Sequence, residues 1–172
     1  MYSIIRFGLL HGLALVIGFY ASHLVLGTSP DNFTVGEIVG YSVMIISSLA
    51  VVMGIIDYKH KRAPAPLGFM GALGVGLGIS LIAAHVFALY NWFYLVFINP
   101  TFTATYLQYS EKNINSSGLE PIVIEQQLAD LANHAELMGN NFTQSMMMFT
   151  TVFVIGLFFS VASALAFRTP RQ

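Results

Sequence analysis

Residues 68–97 read Gly68-Phe-Met-Gly-Ala-Leu-Gly-Val-Gly-Leu-Gly-Ile-Ser-Leu-Ile-Ala-Ala-His-Val-Phe-Ala-Leu-Tyr-Asn-Trp-Phe-Tyr-Leu-Val-Phe97. Gly68, Ala72, Gly76, Ser80, Ala84 and Ala88 recur at every fourth position, with Gly71, Gly74 and Gly78 beside them. No Asp, Glu, Lys or Arg occurs from Ala63 to Ser110. In water so glycine-rich a segment is a poor helix, because each glycine costs roughly 1 kcal/mol against alanine. In a bilayer the backbone must satisfy its own hydrogen bonds, so the helix forms regardless. Small residues at this spacing let a second helix approach closely. The stretch is therefore expected to be the central helix of a membrane bundle, packing through Gly68, Ala72, Gly74, Gly76, Gly78, Ser80 and Ala84. A strict four-residue row drifts by ~40° per step around an ideal helix. Its inner part is thus expected to meet one neighbour and its outer part, near His85, another.

Composition agrees with this stretch. The chain has 172 residues, of which 56% are hydrophobic and 9% charged, where a soluble domain carries about 25% charged residues. That excludes a soluble domain and leaves an integral membrane protein, residues 1–172 forming a single membrane domain whose first partner is the lipid bilayer. A net charge of −1 lacks the basic surface that a nucleic-acid partner requires. The absence of cysteine excludes disulfides, thiolate metal sites, cysteine nucleophiles and iron–sulfur clusters.

Outward from the central stretch, three more spans follow from the apolar runs. Ile4–Leu26 is too long for the 7–15-residue core of a signal peptide and is expected to be retained. Val35–Ile56 is the second span and Phe69–Ile98 the third. Residues 57–67, with Pro64 and Pro66 against helix continuation, form a basic loop. Thr143–Phe167 is the fourth span. Residues 101–140, between the third and fourth, have soluble character. A helix from Thr101 to Ile114, a turn at Ser116-Ser-Gly118 and a second helix opening at Pro121 make a helical hairpin. Ile124, Leu128, Leu131, Ala135 and Met138 fall on one face of that second helix, and Gly139-Asn140 ends it. This face needs a cover: the first hairpin helix through Tyr106, Leu107 and Ile114, the outer leaflet, or a second subunit. Arg6, Lys59, Lys61, Arg62, Arg168 and Arg171 share one side of a four-span chain and Lys112 alone takes the other. Basic residues favour the cytoplasmic side, so both termini are expected inside and the hairpin outside.

Several segments together resemble a known family. They are Glu37-Ile-Val-Gly-Tyr-Ser-Val-Met44 entering the second span, Gly54-Ile-Ile-Asp-Tyr58 leaving it, and Phe69 followed by Ala72-Leu-Gly-Val-Gly-Leu77. Tyr90-Asn-Trp-Phe-Tyr94, Asn99-Pro-Thr-Phe102 and the polar helical insert before the last span complete the pattern. The chain resembles domain-of-unknown-function family 4199 over nearly its whole length. The resemblance implies a small four-helix bacterial membrane protein, and it brings no activity, substrate or catalytic residue.

Ionisable residues inside a span are functional candidates by default, because burying them in lipid is costly. His11, His23 and His85 qualify. The plain reading of each is a neutral imidazole satisfied across a helix interface. The sharper one pairs His23 with His85 as axial haem ligands, both lying in the outer half of antiparallel spans. Glu37, in the first turn of a helix where the dipole favours a carboxylate, is a possible polar or ion site, as is His85. His134-Ala-Glu136 lacks partners for a metal, and no residues form a catalytic constellation. The expectation is a non-enzymatic protein of the bacterial inner membrane without a cofactor. It would act through helix association, as a homo-oligomer or with another envelope membrane protein. The alternative is a small oligomeric transporter or channel for an ion or small solute.

Overall fold

Uncharged apolar runs force the backbone to close its own hydrogen bonds, and a helix does so within one segment. The computed structural model describes residues 1–168. Its helices are α1 (Tyr2–Leu26), α2 (Phe33–Ser47), α3 (Leu49–Arg62), α4 (Phe69–Phe93), α5 (Phe102–Asn115), α6 (Pro121–Met138) and α7 (Asn141–Phe167). No strand occurs among the described residues. Four helical stretches are long and apolar enough to cross a membrane: α1, residues 30–62 containing α2 and α3, residues 69–98, and α7. Arg171 of the expected basic tail lies outside the described residues.

The second span differs from the single helix expected for it. It breaks between α2 and α3 at Ser47-Ser48, and the cause is local. Both hydroxyls bond back to the Met44 carbonyl, at 3.1 and 2.8 Å, and so compete with the helical ladder. The Val51 amide then bonds the Ser48 carbonyl at 3.0 Å, a tightened turn. At its other end this span stays helical through Arg62, so Lys59, Lys61 and Arg62 occupy a last helical turn rather than a loop. Cations are favoured there by the helix dipole. Lys61 also bonds Asp57 one turn back, at 2.8 Å.

α4 is the centre. Half of its most apolar window is buried, against 17% for α1 and 28% for α7. α1 lies parallel to it, with Ile4 against Gly78, Ile82 against Gly8 and Val86 against Gly12. The second span runs antiparallel to α1: Phe19 meets Gly40, Val43 meets Gly18, and Phe7 meets Gly54. α7 runs antiparallel to α4 in one register, from Gly76 beside Ser160 and Ser80 beside Gly156 to Asn91 bonded to Ser145. α7 accompanies α4 along its length, at Ser80, His85 and Asn91, while Gly76 in the inner part of the row also meets Ile55 of α3.

Two apolar clusters fill the bundle. Val51, Ile55, Leu67, Ala72, Val75, Ile79 and Ala164 form one near the end where α4 begins. Leu15, Met44, Ala83, Ala84, Phe87 and Val152 form the other. Past Phe93 the chain continues through a π-helical turn (Tyr94–Ile98), closed by the Asn99 amide on the Tyr94 carbonyl at 2.8 Å. α5 and α6 then pack on one another. Gly118 makes the turn between them at φ +70, a backbone conformation that favours glycine. The predicted face of α6 is its half-buried side: Ile124, Leu128, Leu131, Ala135 and Met138 are all partly covered. Asn140 caps α7, its side-chain oxygen accepting from the Phe142 and Thr143 amides at 2.8 and 3.4 Å.

Candidate functional site

Among the described residues, buried polar side chains gather at three levels, with Ser3 apart at the end where α1 begins. The first is the Gly/Ser seam between α4 and α7. Ser80 Oγ donates to the Gly76 carbonyl at 2.9 Å, Ser160 Oγ to the Gly156 carbonyl at 2.6 Å, and the two hydroxyls lie 3.5 Å apart. Each serine fills the space over the other helix's glycine. Of the other packing candidates, Ala72 and Ala84 are wholly buried and Gly78 receives Ile4. Gly68 and Gly74 face open space, where an added Cβ meets nothing within 4 Å. These hydroxyls are engaged with their own helices, and no acid or base stands on them to activate a nucleophile.

The second level is His11. It is 0% exposed, and neither Nδ1 nor Nε2 has a hydrogen-bond partner. It sits one turn from Phe7 and one turn from Leu15, between the two apolar clusters. Interpolating between Phe7 at Gly54 and Phe19 at Gly40 puts it close to the level of the Ser48 break. A buried polar group left unpaired costs about 1–3 kcal/mol.

The third level lies at the end of α4 near α5. Asn99 Nδ2 donates to the Tyr94 hydroxyl at 3.3 Å, and that hydroxyl shares a hydrogen bond of 3.1 Å with His23 Nδ1. Thr101 Oγ1 donates to Asn99 Oδ1 at 3.2 Å and Thr103 Oγ1 to the buried Gln144 at 2.9 Å. Just beyond, the ring of Phe33 packs against Phe102, Tyr106 and Tyr109. Tyr106 donates to the Glu37 carboxylate at 2.9 Å, and Thr34 and Tyr109 share a hydrogen bond of 2.9 Å. Burial, and then the Glu37 carboxylate, push the Tyr106 phenol above its ordinary range.

α1 and α4, expected to be antiparallel, run parallel, and the structure does not bring His23 and His85 together. His85 is exposed, its Nδ1 bonds the Leu81 carbonyl at 2.8 Å, and its ring meets the edge of Phe149. The partner of His23, Tyr94, lies nine residues further along the third span, roughly 13 Å of helical rise, and at that offset a haem bridged by this pair does not fit. Glu37 and His85 likewise stand apart, each with its own partner. Among the described residues no three His, Cys, Asp or Glu side chains converge on a point that could hold a metal ion.

Sequence reasoning missed the Tyr94–His23–Asn99 chain, because the aromatic run Tyr90–Tyr94 reads as an interfacial belt. Only the order of polar residues at the ends of α1 and α4 hinted at it. No curated protein and no solved structure matches the chain. The family model described as "Protein of unknown function (DUF4199)" matches residues 6–169, nearly the whole chain. This match extends from the Gly8–Ile82 contact through the polar level and α5/α6 to the seam on α7, and the chain belongs to that family.

Proposed function

We propose that the protein is a non-enzymatic component of the bacterial inner membrane that acts through association, with itself or with another envelope membrane protein. Both termini lie in the cytoplasm, and α5 and α6 form an extracytoplasmic hairpin that makes the contact. The orientation rests on charge: Arg6, Lys59, Lys61, Arg62 and Arg168 lie at one end of the spans and Lys112 at the other. The observation that carries the reading is α6. This helix lies outside the four spans, has no fully buried residue, and leaves Ile122 and Leu137 61% and 50% exposed. Apolar side chains exposed to lipid need no protein cover, whereas on a hairpin in water Ile122 and Leu137 are available for contact with a partner. The test is benzoylphenylalanine placed at Ile122 or Leu137 and irradiated in native membranes. One discrete cross-linked species is expected, doubled in mass for self-association. Uncross-linked monomer from both positions would sink the reading.

The orphaned His11 beside a broken span is what favours the second reading, a small oligomeric transporter, since such breaks line substrate sites in transporters. Equal proton or solute flux in proteoliposomes for wild type and His11→Ala would dispose of it.

A further inference from the structure

Arg6 stands on the face of α1 turned away from the bundle, where its neighbours are Tyr2, Ile5, Leu9, Leu10 and Leu13. These residues and Arg6 form one open face of α1, with no second helix walling it. Among the described residues Arg6 makes no ion pair, and its guanidinium carbon lies 5.4 Å from the ring centre of the adjacent Phe7. Asp57, the carboxylate at this end of the bundle, lies within electrostatic range of Arg6, but its ion pair is with Lys61. A permanently charged guanidinium on a lipid-facing helix surface is costly unless an anion meets it. The anion available at that depth is a lipid phosphate, whose geometry suits two parallel N–H···O bonds.

The apolar face beside Arg6 matches the rest of such a molecule. From Tyr2 to Leu13 the helix rises by roughly 16 Å, close to the ~15 Å that one leaflet contributes to a hydrocarbon core of ~30 Å. Arg6 lies one turn from the headgroup end, and the apolar residues continue to mid-bilayer. Lys59, Lys61 and Arg62 end α3 at the same end of the bundle, giving it a positive field. We infer that this face of α1 is a binding site for an anionic phospholipid, the phosphate held by Arg6 and one acyl chain lying along Leu9 and Leu13. The site is separate from the hairpin and does not depend on the association reading.

The test is native mass spectrometry of the full chain in detergent, titrated with phosphatidylglycerol or with phosphatidylcholine. Wild type is expected to retain phosphatidylglycerol at least fivefold better than phosphatidylcholine, and 10 mM inorganic phosphate should not displace it. Arg6→Gln should abolish the preference, Arg6→Lys should keep part of it, and Lys112→Gln should leave it intact. Leu9→Trp, which reshapes the apolar face without touching the charge, should lower retention as far as Arg6→Gln does. Far-ultraviolet dichroism and a single elution peak identify variants that remain folded. Equal retention of the two lipids by wild type would overturn the site. So would an undiminished preference in folded Arg6→Gln, since that assigns the headgroup to the α3 cations, or full retention by folded Leu9→Trp.

Discussion

At Gly76 and Gly156 the fold depends on two missing methyl groups. A Cβ on Gly76 would lie 2.6 Å from Ser160 Oγ and 2.7 Å from its Cβ, distances that helices cannot hold without moving apart. Gly76→Ala should cost about 1–3 kcal/mol through overpacking, read as a lowered midpoint of unfolding in detergent. Gly74→Ala, with nothing within 4 Å, should be neutral or stabilising by up to about 1 kcal/mol of helix propensity. Equal effects of the two would contradict the seam. His11 carries the opposite sign. Its two ring nitrogens are buried without partners, so His11→Leu removes a desolvation cost and should stabilise the fold by about 1–3 kcal/mol. A loss of that size on the same midpoint assay would mean that the imidazole is bonded in the native state. The four-residue row was legible in the sequence as close packing. Which of the small residues in and beside it pack was not: Gly74 and Gly76 are two residues apart, and only the rotation of α4 decides that one faces space and the other Ser160.

Among the elements, the second span and α6 show where local pattern suffices and where it does not. The amphipathic face of α6 followed from the spacing of Ile124, Leu128, Leu131, Ala135 and Met138, and that face is the covered one. Its polar side had already excluded it from the core. The break at Ser47-Ser48 escaped the sequence reading because serine is an ordinary small residue in a membrane span. It turns disruptive when two consecutive hydroxyls reach the same carbonyl. Replacing both serines by alanine should relieve that competition and slow hydrogen exchange at the Leu49, Ala50 and Val51 amides several-fold. Unchanged exchange would place the cause of the break in the neighbouring helices. The polar level escaped for a different reason. The Tyr94–His23 bond joins residues 71 apart in the chain, and no spacing rule relates one span's side chains to another's.

In the whole molecule, burial falls from α4 outward, and the four spans surround no level rich in charge. Asp57 and Lys61 pair at one end, while Glu37 at the other bonds the phenol of Tyr106. Uncharged apolar runs were enough to identify the spans, and the one-sided basic residues supply the expected orientation. Phe33, Thr34 and Glu37 hold the hairpin at one end of the spans, and the function proposed for it requires that this end face the envelope. Accessibility of single cysteines tests this directly, since the chain has none of its own. Ser117→Cys, in the turn between α5 and α6, and Ala65→Cys, between the second and third spans, would each be exposed to a membrane-impermeant maleimide in spheroplasts. Labelling at 117 in intact spheroplasts, with labelling at 65 only after lysis, is the predicted result. Labelling at 65 in intact spheroplasts with protection at 117 would reverse the orientation and contradict the account.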